Sequence, residues 1–447
     1  MTVAIPLVEL PKIFASNLLE ITANRDNAIA EGITTDTRHL QSGEVFLALV
    51  GEKFDGHDFI TTAIEKGAIA IIVNRPIASD TIPQFVVRDT LLAYQQIAHW
   101  WRNCFEIPII GITGSVGKTS TKELIAAVLG TRKVLKTQKN YNNEIGVPKT
   151  LLEITEEHDY AVIEMAMRGV GEIALLTEIA RPTIGVITNV GTAHIGRLGS
   201  ELAIAQAKCE LLQKMPRESI AILNHDNPLL LATAAEVWQG TTITYGLEGG
   251  DIRGVVDSET IRVGDDVFPL PLAGMHNASN FLAAIAVATT LNIDLAPLKA
   301  GLTVELPQGR ARRYELPNDI ILLDETYNAG LESMQAALRL LRQTPGKRHI
   351  AVLGTMKELG EYAASLHRRV GETVKELELD LLFVLADESA TKEIVTGAAP
   401  IEAECFTDRE ELISKLQETM QQGDRILLKA SNSVGLNQVV EIIIHNS

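Results

Sequence analysis

The stretch IIGITGSVGKTSTKELIAAVL, residues 109–129, decides the fold. Its first five residues form an apolar, β-branched run of the kind buried on both faces of a sheet. A glycine-rich turn follows, and then a helical pattern opening on Lys118-Thr119-Ser120. Gly114 and Gly117 permit a tight turn, with Ser115 and Val116 between them, whose backbone N–H groups face a phosphate chain. The helix N-terminus favours that negative charge, Lys118 neutralises it, and the Thr119 hydroxyl can ligate Mg²⁺. The longer pattern GxxxxGK[ST] is not met, because Ile112 stands at its first glycine, but GxxGKTS keeps the strand–turn–helix context. Residues 114–120 are therefore the candidate nucleotide loop.

Working outward, the same alternation continues. The runs YAVIEMA, TIGVITNV and SIAILN, near residues 160, 183 and 219, read as further parallel strands separated by helices. Residues 241–272 break that pattern with short strand-like pieces, and FLAAIAVATTL, after the start signal HNASN, reads as a helix. Upstream, EVFLAL and AIAIIV read as strands and LLAYQQIAHWWRN as an amphipathic helix, with Pro108 as a boundary. A second βα series begins after Pro307, with strands in DIILLDE, HIAVLGT, LDLLFVLAD and DRILLKAS and helices in SMQAALRLL and LNQVVEII.

The expected fold is α/β in three domains: a small mixed N-terminal domain at 1–107, a central P-loop-type parallel-sheet ATPase domain at 108–307, and a C-terminal Rossmann-like domain at 308–447. A length of 447 residues accommodates three cores.

A 46% hydrophobic and 22% charged composition is globular. The net charge of −17 disfavours nucleic acid and anionic membranes as partners, though not an anionic small molecule met by a few cations in a cleft. Three widely spaced cysteines, Cys104, Cys209 and Cys405, point away from a disulfide framework or zinc site and towards a reducing cytosol. The opening MTVAIPLVELPKIF lacks the features of a leader, and no apolar run has the length of a membrane span. A cytoplasmic protein is expected.

Further candidates stand at strand ends, the edge where open α/β sheets bind ligands. Glu164 either holds Mg²⁺, directly or through water, or is a solvated strand-end carboxylate. Asn189 and His194 follow the next strand; a histidine there is a structural residue or an unusual ligand for a hard, oxygen-preferring ion. Lys208 lies on a helix in IAQAKCELL and is by default solvated.

In this order, these pieces resemble the Mur ligase family of ATP-dependent amide ligases, over nearly the whole chain. TGSVGKTS is similar to the family's phosphate loop, and NYNNEIGVP, with Asn142 and Asn143, to the segment after it. The resemblance implies that Thr119, Glu164, His194 and Lys208 serve two Mg²⁺ ions, Lys208 as a carbamate. It places Asn280 on adenine, with His276 nearby, and Arg310 of GRARR, beside Arg312 and Arg313, on the γ-phosphate. LLDETYNA contributes Asp324, Tyr327 and Asn328, and LLKASNSVG contributes Lys429. In TTDTRHL, the residues Thr35, Asp36, Thr37 and Arg38 would contact a uridine-diphosphate substrate.

Three departures accompany the resemblance. Gly330-Leu331 stands where the family usually has Asn-Pro, Thr355 where it has Asp, and Asn432 where it has Arg. The implied activity joins D-alanyl-D-alanine to a UDP-N-acetylmuramoyl-tripeptide with ATP, through an acyl phosphate, in a monomer whose third domain closes over ATP. The alternatives are a related ligase adding one amino acid, or glutamate to folate, and a nucleotide-dependent binding module without amide chemistry.

Overall fold

The computed structural model describes residues 4–22, 28–78 and 82–446. Met1, Thr2 and Val3, the start of the stretch read for a leader, lie outside the described residues. Among the described residues, three larger sheets follow one another along the chain. The first has the order Leu18–Thr22, Gln84–Val87, Ala70–Val73, Val45–Leu47, Ile33–Thr34. Its four last-named strands are parallel, and Leu18–Thr22 runs antiparallel at the edge.

The central sheet starts Val134–Lys136, Tyr160–Glu164, Ile109–Thr113, Ile184–Ile187, Ile220–Asn224, Thr241–Gly246, all parallel. Ile252–Asp257, Thr260–Val263 and Asp266–Pro269 extend it, the last three forming an antiparallel meander. The glycine-punctuated residues 241–272 thus prolong the central sheet. The alternating side chains of its strands enter two different cores. Ile110, Ile112, Val162 and Val186 pack with Leu124, Ile125 and Phe281 on one face. Ile109, Ile163, Ile187 and Leu223 pack with Ile173, Leu176 and Leu211 on the other. Burial on both faces is why these strands lack a polar side in the sequence.

The third sheet has the order Arg312–Leu316, Ile320–Asp324, Asp424–Lys429, Arg348–Gly354, Leu381–Leu385, Ala403–Phe406. It is parallel except for its first strand. Among the described residues no helix is long and apolar enough to cross a membrane.

One element begins earlier than HNASN suggests. The helix Met275–Thr290 starts directly after Gly274, whose φ of 99° suits glycine, so Asn277 and Asn280 are interior residues. Their side chains are satisfied within the protein. Asn277 donates to the Ala273 carbonyl at 2.8 Å, and Asn280 Oδ1 accepts from the Thr121 hydroxyl at 3.2 Å. Such partners offset the helix-disfavouring competition of asparagine with the backbone.

Candidate active site

The strand Ile109–Thr113 ends at the glycine turn, and the helix Lys118–Val128 begins immediately after Gly117, whose φ is 83°. Asn189 and Thr188, at the end of the neighbouring strand, brace this turn. Asn189 Oδ1 accepts from the Val116 N–H at 3.0 Å, its carbonyl accepts from the Ser115 N–H at 3.1 Å, and the Thr188 hydroxyl donates to the Val116 carbonyl at 2.6 Å. The first-turn N–H groups of the helix remain for an anion. Lys118 Nζ folds back onto the Gly114 carbonyl at 2.7 Å, and burial lowers its pKa.

Gly114 has a φ of 154°, and a Cβ there would lie 1.9 Å from the Thr188 hydroxyl oxygen. Gly114→Ala is therefore expected to destabilise the fold by about 1–3 kcal/mol through strain and a displaced brace. A lower thermal midpoint together with weaker ADP binding would bear this out; an unchanged midpoint would not.

Glu164 is buried at the end of Tyr160–Glu164. Its Oε2 accepts from the Thr119 hydroxyl at 2.9 Å and its Oε1 from Asn142 Nδ2 at 2.8 Å. Lys122, also buried, stands 4.0 Å from Glu164 and 3.0 Å from Glu123. Asn143 accepts from the Gly146 N–H at 2.9 Å, at the start of the helix Gly146–Leu151. Both asparagines line the cleft, and one side-chain atom of each is engaged in bracing it.

The cleft has a volume of about 720 Å³, the size of a small-molecule site. One wall carries residues 115–120 with Glu164, Asn189, His194 and Asn280; the other carries Arg310, Tyr327, Asn328 and Lys429 from the third domain. The Arg310 guanidinium lies 4.0 Å over the Tyr327 ring, and among the described residues its buried Nε has no hydrogen-bond partner. An unpaired buried donor on a cavity wall is costly without a ligand and suits an anion. Lys429, buried, donates to the Asn328 carbonyl at 2.9 Å. His276 also lines the cleft, and burial pushes its pKa down to about 4, so its imidazole is neutral.

Asp324 and Lys208 are not part of the cleft lining. Asp324 is buried at the end of the strand Ile320–Asp324, accepting from the Thr326 N–H at 3.0 Å and hydroxyl at 2.6 Å, and the cleft is lined by its neighbour Glu325 instead. Burial raises the Glu325 pKa. Lys208 is fully buried on the helix Glu201–Lys214, behind the cleft lining; burial, with the Lys118 charge, holds its pKa well below the usual lysine value. His194, with a φ of 68°, bonds through Nδ1 to Glu358 of the third domain at 2.6 Å.

Thr35, Asp36, Thr37 and Arg38 belong to the first sheet's domain and are not part of this cleft lining. Asp36 accepts from the Arg38 side chain at 2.9 Å and 2.7 Å, which holds its pKa near 2, and the Thr37 carbonyl accepts from Lys66 at 2.7 Å. Of the three departures only Gly330 lines the cleft. Thr355 is turned onto Asp387 and Thr391, and Asn432 opens the turn Asn432–Val434. Sequence reading missed Glu325, Glu332 and Glu358. Glu332 accepts from the Thr192 N–H at 2.7 Å, and like Glu358 it is a third-domain carboxylate whose partner only the tertiary fold brings near.

A metal ion can be tested against these donors. Among the described residues, no three His, Cys, Asp or Glu side chains cluster to hold one. Thr119 and Glu164, already within hydrogen-bond distance, are the hydroxyl and carboxylate pair that suits Mg²⁺ completed by phosphate and water. An amine or ammonium at Lys208 is a poor ligand for such an ion, whereas a carbamate oxygen is a suitable one.

Comparison with known proteins agrees with this architecture. Residues 30–99 match the model of the Mur ligase family catalytic domain, 112–288 the Mur ligase middle domain, and 309–432 the Mur ligase glutamate ligase domain. The UDP-N-acetylmuramoyl-tripeptide–D-alanyl-D-alanine ligase of Synechocystis is 60% identical over 437 residues, covering 97% of this chain and 96% of the relative. The Escherichia coli ligase of the same name is 37% identical, covering 93% and 94%. Among solved structures, MurF from Acinetobacter baumannii superposes with a TM-score of 0.90 at 30% identity, covering 99% of both chains. MurF ligase from Thermotoga maritima in complex with ADP superposes with a TM-score of 0.83 at 31% identity, covering 92% of this chain and 97% of that one. With three family models in series and relatives matched along almost its full length, this chain belongs to the Mur ligase family.

Proposed function

We propose that this chain is an ATP-dependent ligase that joins the amine of D-alanyl-D-alanine to the terminal carboxylate of a UDP-N-acetylmuramoyl-tripeptide. The observation that carries this reading is the 60% identity, over nearly the whole length, to a relative bearing that name. The two-walled cleft supports it, with a phosphate loop on one wall and Arg310 and Lys429 on the other.

The chemistry begins from a poor acyl donor. The substrate carboxylate attacks the γ-phosphorus, the bond to the β–γ bridging oxygen breaks, and ADP leaves. The resulting acyl phosphate has phosphate as its leaving group. The dipeptide amine attacks the carbonyl carbon, loses its proton, and the collapse of the tetrahedral adduct expels phosphate.

Lys118, the first-turn N–H groups of its helix and Arg310, which line the cleft, would bind the phosphate chain and screen charge as the phosphoryl group moves. Thr119 and Glu164 would hold Mg²⁺, with His194 and carbamylated Lys208 holding a second ion; these ions would supply charge neutralisation at the phosphate oxygens. Closure of the third domain against the cleft would keep water from the acyl phosphate.

In the same reading, residues 1–107 bind the UDP end, 108–307 bind ATP, and 308–447 close and receive the dipeptide. The enzyme works in the cytoplasm as a monomer, which the mass of the protein by light scattering checks. Arg38, 84% exposed in its side chain, would meet the diphosphate. Arg38→Ala should raise the KM for the UDP-substrate about tenfold at unchanged kcat and melting temperature, since an exposed ion pair adds little to stability. An unchanged KM would remove Arg38 from the site.

Carbamylation of Lys208 is supported by its burial beside Lys118, where an ammonium is disfavoured. Activity should fall in CO₂-depleted buffer and return with bicarbonate. Full activity after depletion, with an unmodified Lys208 in native mass spectra, would exclude it.

The decisive experiment for the function is mass spectrometry of a reaction holding ATP, the UDP-tripeptide and D-alanyl-D-alanine. The expected product is the UDP-pentapeptide with equimolar ADP and phosphate. Phosphate release stimulated by glutamate but not by the dipeptide would overturn the assignment, as would nucleotide binding without any amide.

A further inference from the structure

Segment 194–199 of the central domain and segment 358–362 of the third domain meet in a narrow seam. His194 Nδ1 lies 2.6 Å from Glu358 Oε2, and Arg197 lies 3.6 Å from the other carboxylate oxygen. Tyr362 donates its hydroxyl to the Gly199 carbonyl at 2.8 Å. Gly196 and Gly360 let the two backbones touch: a Cβ on Gly196 would lie 2.5 Å from the Gly360 nitrogen.

Both partners of the central contact carry unfavourable backbone conformations. His194 has a φ of 68° and Glu358 a φ of 63°, in the left-handed region that non-glycine residues rarely adopt. Such conformations persist where surrounding packing over-determines them, and they concentrate at functional sites. Here two of them face each other across a domain boundary, 164 residues apart in the chain.

A neutral imidazole that donates from Nδ1 to a carboxylate has its lone pair on Nε2. That second partner sets both the tautomer and the ring orientation of a ligating histidine. Glu358 is on the third domain, so His194 receives this partner only when that domain is seated on the seam.

We propose that Glu358 is a positioning residue for the ligation reaction: by docking onto His194 it fixes the imidazole with Nε2 available in the cleft, so that seating of the third domain and completion of the site are one event. The proposal rests on the reading of His194 as a ligand in the reaction. It assigns Glu358 no contact with substrate. A purely mechanical link would hold the domains together without setting the histidine tautomer, and that difference is measurable.

The test is ¹⁵N-histidine NMR of the full chain at alkaline pH, where imidazoles are neutral, with the His194 resonance identified by its loss in His194→Gln. Wild type should show the Nδ1-protonated tautomer. Glu358→Ala should show a mixture of tautomers and a kcat lower by about 10- to 100-fold, at an unchanged KM for the UDP-substrate. Glu358→Gln, which keeps an acceptor oxygen, should restore the tautomer and most of the rate. Gly196→Ala, which leaves the carboxylate in place but forces the backbones apart, should reproduce the mixture.

Identical His194 spectra in wild type, Glu358→Ala and Gly196→Ala would overturn the proposal. Where Glu358→Ala does not fold, the Gly196→Ala spectrum decides alone. A changed tautomer with undiminished turnover in His194→Gln would instead refute the ligand reading of His194, and with it the role given to Glu358.

Discussion

Replacing Lys118 with methionine is expected to lower kcat about 10²- to 10³-fold while leaving the fold intact. The methionine keeps the unbranched stem that fills the cleft floor and removes only the charge. In the structure that ammonium is held at 2.7 Å by the Gly114 carbonyl, at the mouth of a helix whose first-turn N–H groups point the same way. The loop itself does not depend on the ammonium, because Asn189, Thr188 and Ser115 brace it. The loss should therefore fall on the charge that shifts onto the leaving oxygen as the phosphoryl group moves, and less on ground-state ATP binding. Steady-state phosphate release, with kcat and KM for ATP resolved separately and a thermal melt as control, checks this. Activity within threefold of wild type would remove Lys118 from the chemistry.

Glu164→Gln should be nearly as severe, with turnover reduced about 10²-fold and the magnesium concentration for half-maximal activity raised. Glutamine keeps the shape of the carboxylate and its bond from the Thr119 hydroxyl, so the strand end need not move. It removes the anionic oxygen that a hard cation requires. Lys122, buried 4.0 Å away, retains Glu123 at 3.0 Å as its counter-ion, which limits the electrostatic cost of the substitution to the fold. A magnesium titration of wild type and variant separates the two effects: excess metal should recover part of the variant's rate. A superimposable titration curve would show that Glu164 is structural. Chelation of divalent ions should abolish the wild-type reaction and be reversed by added magnesium.

Much of the fold was legible in the chain because its determinants are local. The run 109–129 specifies its own strand, turn and helix, since glycine conformational freedom, helix-terminus charge and β-branched burial all act within a few residues. The continuous apolar runs pointed to strands covered on both faces, and the two cores on either side of the central sheet are the reason. The antiparallel meander after Ile252 was harder to place, because its pairing depends on which sheet edge its strands meet.

The site was legible where one motif carries it and obscure where several domains do. Ser115, Gly117, Lys118 and Thr119 line the cleft as the motif suggests, and Glu164 joins Thr119 across two strands whose ends are aligned by parallel register. In DETYNA the sequence offers two adjacent carboxylates; the turn bonds of Thr326 bury Asp324 and leave Glu325 to the cleft. Asn189 and Asn142 are amides whose partners, Val116 and Glu164, lie far from them in the sequence, whereas Asn143 is engaged locally by the Gly146 N–H.

The sequence by itself determined the class of architecture and the glycine turn with Lys118 at the start of its helix, because these follow from residues near one another in the chain. Only the tertiary structure decided which carboxylates meet which partners: Glu332 on Thr192, Glu358 on His194, and Lys122 beside Glu164. The physical reason is that a side chain's hydrogen-bond partner is set by distances of a few ångströms between elements. Those distances follow from how whole sheets and domains pack, and no local pattern of residues encodes them.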